Sequence, residues 1–154
     1  MPNVRALRHT TAVLGMLALA ACERHVAPTP ASDLAAARAR WAASGATTYV
    51  VESRIRCFCP GHLAVWTRLS IRNDRVESAE PVEPLPPGAF TSVLGWQTVP
   101  QLFETIEQRA KDDVVVGVAA RYHPTLGYPE EIKVTCRPNV TDCGGTYELR
   151  NLAR

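Results

Sequence analysis

The chain has 154 residues, with 46% apolar and 21% charged residues and a formal net charge of +2. That length and balance describe one globular domain and exclude an intrinsically disordered chain. Arg5 and Arg8 belong to a leader, so the working chain is close to neutral. A basic field for nucleic acid is excluded.

The leader opens with Arg5, Arg8 and His9, followed by an apolar run over 11–18. The run is too short to span a bilayer, which needs about 20 apolar residues. It ends in Leu19-Ala20-Ala21-Cys22, which matches the lipobox of bacterial lipoproteins: a branched residue, two small residues, then the cysteine whose sulfur takes the lipid. Residues 1–21 are therefore expected to be a signal peptide and Cys22 the lipidation site. Acyl chains there, two or more, would hold the protein stably on a membrane. Glu23 stands where an aspartate would signal inner-membrane retention. The expected location is the cell envelope: the outer membrane facing the periplasm in a Gram-negative cell, or the outer face of the plasma membrane otherwise. Residues 22–32, with Pro28 and Pro30, read as a flexible tether.

A single domain is expected over 33–152. Leu34, Ala37 and Trp41 lie on one face of a helix over 33–44, with Ser32 as N-cap and Gly45 as the stop. Residues 48–59 alternate as a half-buried strand, with Tyr49, Val51, Ile55, Cys57 and Cys59 on one face. Cys59-Pro60-Gly61-His62 reads as a type II turn into a strand that turns Leu63, Val65, Thr67, Leu69 and Ile71 inward. Asn73-Asp74 is a hairpin turn into a strand over 75–80.

A proline-rich loop follows over 81–95. Thr98 and Gln101 have capping-box spacing, Pro100 suits a first helical turn, and Leu102, Phe103, Ile106 and Ala110 form the apolar stripe of a second helix ending near Lys111. Strands are expected over 114–122, 131–137 and 146–152. The order is helix and three strands, twice. The simplest packing is an α+β fold, an antiparallel sheet with both helices on one face. The expected core is Tyr49, Val51, Ile55, Leu63, Val65, Leu69, Leu102, Phe103, Ile106, Val116, Val118 and Ile132.

Trp41, Tyr49, Cys57-Phe58-Cys59, Thr98 to Ile106 and Tyr122-His123-Pro124-Thr125-Leu126-Gly127-Tyr128-Pro129 form a pattern. It resembles the family of bacterial lipoprotein domains of unknown function numbered 6174, over about 34–152. The resemblance implies fold and location and no catalytic residue. That family usually has an aspartate where this chain has His123, and a late acidic loop without cysteines where this chain has Cys136 and Cys143.

With Cys22 lipidated, four cysteines allow three pairings. Cys136 and Cys143 bracket a short loop between two strands, which is easily closed. Cys57 and Cys59 lie about 6.6 Å apart in an extended strand, so a bond there needs the chain to bend. Relatives resembling this chain carry the first pair without the second. The resemblance thus implies Cys57–Cys59 and Cys136–Cys143.

Cys57, Cys59 and His62 offer a metal three groups at the wrong spacing for zinc, so no metal site is expected. A thiol–disulfide role for Cys57 and Cys59 is the alternative function. His123 reads as a loop histidine with no nucleophile beside it. Trp66 falls on an outward strand face with Arg68 and Arg72, a candidate contact surface. No nucleotide-binding loop or nucleophile elbow is present, and no cofactor is expected. The expectation is a lipid-anchored, non-enzymatic domain. Its partners would be the membrane, through Cys22, and an envelope protein or small envelope component bound through an exposed strand or the proline-rich loop.

Overall fold

The structure, a computed structural model, describes residues 30–154. The expected signal peptide, Cys22 and the expected tether as far as residue 29 lie outside the described residues. Helix α1 (Pro30–Ser44) begins three residues earlier than the sequence pattern, so positions 30–32 are helical and Ser32 is not the N-cap. Gly45 ends it at φ 63°, a left-handed conformation that glycine adopts freely. Strand β1 (Tyr49–Cys57) stops where the first disulfide begins.

The expected type II turn is absent. Pro60 has suitable angles, φ −52° and ψ 136°, but Gly61 does not take the positive φ that the turn requires. The chain instead makes a 3₁₀ turn (Gly61–Leu63), and β2 (Thr67–Arg72) starts late. Leu63 and Val65 are buried from this irregular segment, not from a strand. Asn73 and Asp74 have φ 50° and 55°, as a two-residue I′ hairpin demands, and lead into β3 (Arg75–Pro81).

Helix α2 (Val99–Arg109) is capped as its spacing predicts: the Thr98 N–H donates to Gln101 Oε1 at 2.9 Å. The Val99 N–H, another donor without an intrahelical partner, donates to the Tyr49 hydroxyl at 2.9 Å. Burial raises the Tyr49 pKa from 10.0 to about 12, and keeps that hydroxyl neutral. Strands β4 (Val115–Tyr122), β5 (Pro129–Cys136) and β6 (Gly145–Ala153) complete the chain.

All six strands form one antiparallel sheet in the order β3-β2-β1-β6-β5-β4. The two halves join where β1 pairs with β6, from Val50↔Ala153 to Cys57↔Gly145. The helices do not divide one to each half. α2 packs on β4 and β5 and α1 on β4, while Leu63 and Trp96 join the same core as Leu69, Ile71 and Ala79 of the first meander. Gly127 (φ 79°) locks α1 to the β4–β5 turn, since a Cβ there would run into the Ala37 carbonyl.

Most of the expected core is buried, but Val116 is 60% exposed and Val118 only half-buried. A bulge causes the error. Val115 faces Cys136 and Gly117 faces Thr135, which leaves Val116 as the extra residue. The inward phase of β4 then runs through Val118, Ala120 and Tyr122.

Candidate functional site

Both disulfides join the expected partners. Cys136 and Cys143 have Cα atoms 6.1 Å apart. Cys57 and Cys59 come to 5.2 Å because the chain leaves the strand at Cys57 and bends. Phe58, between them, is 87% exposed. His62 is not turned to this bridge as a ligand: it is buried near Phe90 and Trp96, and its Nε2 donates to the Leu94 carbonyl at 3.0 Å.

His123 has a local structural task. Its Nδ1 accepts from the N–H groups of Thr125 (3.3 Å) and Leu126 (3.1 Å), and its ring stacks on Tyr128 at 4.9 Å. A short carboxylate at this position would accept the same N–H groups in an Asx turn. His123 can therefore fill the turn-capping place of the aspartate expected there from the resemblance.

Trp66 is not the exposed anchor that the alternation suggested. It precedes β2 and is only 8% exposed. The guanidinium carbons of Arg54 and Arg150 lie over its ring at 4.6 and 3.9 Å, and its backbone N–H donates to the Glu83 carboxylate at 3.3 Å. Arg68 belongs to the same assembly. It pairs with Glu52 at 3.5 Å, and Glu52 also accepts from Arg150 at 2.8 Å and Asn151 at 3.0 Å. The Arg150 hydrogen bond, above all, holds the Glu52 carboxyl below its ordinary 4.5. Glu148 binds Arg54 at 2.9 Å and Arg56 at 3.0 Å. Arg72 stands apart, paired with Glu77 at 3.2 Å.

The sheet face opposite the core is thus a lattice of arginines around two carboxylates, centred on a covered tryptophan. Arg54, Glu52, Glu148 and Arg150 were missed in the sequence because they meet only through the β1–β6 pairing. Their signal was the alternation of charge along both strands.

A second feature lies on the core side. Between α1, α2 and β4 runs a cavity of about 1020 Å³, lined by residues including Leu34, Ile106, Ala110, Val118 and Tyr122. Arg38 and Glu107 bridge the two helices beside it at 2.8 Å.

Residues 33–154 match the model of a family of unknown function, DUF6174. No curated protein and no solved structure matches the chain.

Proposed function

The chain belongs to the DUF6174 family, and from that premise we propose that it is a lipid-anchored cell-envelope protein whose domain binds a partner without catalysis. The observation that carries the reading is the pairing of a Leu19-Ala20-Ala21-Cys22 leader with a domain cross-linked by two disulfides. Disulfides persist in exported proteins, where thiols are not held reduced. The lipobox cysteine supplies the anchor, and 22–29 supplies reach. Support for binding over catalysis comes from the histidines among the described residues. His62 and His123 are both engaged with backbone groups, and the carboxylates Glu52 and Glu148 with arginines. The test is Cys22→Ser, which should abolish palmitate incorporation and release the protein from membranes. Continued sedimentation with membranes would overturn the anchor.

The second reading is a thiol–disulfide protein using Cys57 and Cys59. Its support is the exposure of the Cys57–Cys59 bend, which a reductant can reach. A redox cysteine should show a low-pKa thiol after reduction. If iodoacetamide labels neither cysteine faster than a model thiol at neutral pH, this reading fails.

A further inference from the structure

Two features meet along one side of the molecule. β4 is an edge strand that pairs only with β5 among the described residues. Edge strands present unpaired N–H and C=O groups, and are commonly defended by charge, proline or bulges. β4 carries no charge between positions 115 and 120, and its pairing with β5 is irregular only at its two ends, Val115/Gly117 and Arg121/Tyr122, which leaves 117–121 in regular register. The cavity of about 1020 Å³ runs beside this strand. No residue of β5 lines it, whereas three consecutive β4 residues do: Val118, Ala119 and Ala120. Consecutive strand side chains point to opposite faces. With no β5 residue in the lining, the cavity lies toward the unpaired edge of the strand.

We infer that the β4 edge and this groove form one binding site for an extended peptide strand with bulky apolar side chains at alternate positions. The unpaired backbone groups of the edge require an occupant in β conformation, and strand addition satisfies them with main-chain hydrogen bonds. The lining decides the side chains. Ala35, Ala39, Ala42, Ala110, Ala119 and Ala120 are small, so the occupant has to fill the space. The volume is that of a large ligand site. A second copy of β4 would bring only glycine, valine and alanine at positions 117–120 and leave the groove unfilled. A heterologous strand fits better. Asp33, Arg38, Glu107 and Lys111 supply a mixed-charge rim to fix its register. The inference names the partner class for the binding-domain reading and rests on it, but the groove does not depend on the anchor.

The experiment uses the full chain with Cys22→Ser, so that loss of the anchor and loss of the groove are read separately. The probe is a fluorescein-labelled decapeptide alternating leucine or phenylalanine with threonine. Two further probes are N-methylated at every second residue, one along each edge of the strand. The parent probe should bind at a ratio of one to one and slow hydrogen exchange in β4. One N-methylated probe should lose at least about tenfold in affinity and the other should bind like the parent. Ala39→Trp, at an exposed lining position, should also weaken binding by at least about tenfold. Ala42→Trp serves as a second groove-filling variant should the first unfold. Equal binding of both N-methylated probes, or no binding below about 1 mM, would overturn the inference. Protection on the arginine lattice or the 82–97 loop would overturn the groove while leaving a binding domain. A dimer cross-linked through β4 would overturn the choice of occupant.

Discussion

The two edges of the sheet are built differently. β3 carries Arg75, Glu77 and Glu80, and ends in Pro81. Its pairing with β2 is also interrupted by a bulge between Ser70 and Ile71. Charge, proline and irregular twist all oppose addition of another strand there. β4 opposes it with Arg121, which is held by Glu130, and with irregular pairing at its two ends, Val115/Gly117 and Arg121/Tyr122, leaving an uncharged middle in regular register. The helices sharpen the contrast. They cover the inner face near β4 yet leave a groove along its edge, whereas β3 borders a core closed partly by loop residues such as Trp96 and Leu63. One sheet therefore has an edge defended by charge and proline and an edge that is largely uncharged.

The largest test removes the helical cover beside the open edge. Phe103 is 1% exposed and stacks on Tyr122 at the end of β4. Phe103→Ala should cost about 3–5 kcal/mol in denaturant unfolding. A cost below about 1 kcal/mol would mean that α2 does not hold this side.

The disulfides come next, one on each side of the β1–β6 junction. Cys136–Cys143 closes a separation of seven residues and Cys57–Cys59 one of two. Chain entropy predicts losses of about 2.5 and about 1.6 kcal/mol for the two paired Cys→Ser variants. Equal losses, or the reverse order, would show that loop length is not what separates them.

Tyr49→Phe should cost about 1–2 kcal/mol, because the buried Val99 N–H loses its acceptor. The pH dependence has a definite sign. The folded-state pKa of about 12 lies above the ordinary 10.0, so the neutral hydroxyl favours the folded chain. That contribution is complete below pH 10 and is lost as pH rises toward 12. Tyr49→Phe should flatten this alkaline loss. An unchanged slope between pH 10 and 12 would place the effect elsewhere.

The smallest stability effect is expected at the open edge itself. Val116 is 60% exposed, so Val116→Lys should change stability by less than about 0.5 kcal/mol. It should nevertheless weaken addition of an extended strand, because charge on an edge opposes pairing. The comparison fails if the charged variant binds the alternating probe as well as the parent.

The helices and turns were legible because their signals are local. The Thr98–Gln101 spacing, Pro100, Gly45 and Asn73-Asp74 each dictate a backbone conformation within four residues. The type II turn was misread because Pro-Gly permits it without requiring it, and Gly61 packs near Pro86 and Ala89 of a distant loop. Val116 was misplaced because a bulge shifts side-chain phase and leaves no mark in a run of valines. Trp66 was assigned to the correct region and the wrong exposure: its cover, Arg150, lies far along the chain.

The sequence by itself determined the α+β class, the element order, the two hairpin and capping signals and, with a family resemblance, the disulfide pairs. These depend on period, turn chemistry and short loops. Tertiary structure decided how the halves join, where the helices lie, which arginines surround Trp66 and which edge stays open. Those depend on pairing between residues nearly a hundred positions apart, such as Arg54 with Glu148 and Glu52 with Arg150. Local periodicity carries no information on which of several equally patterned strands will meet, because each would bury the same apolar face in any order.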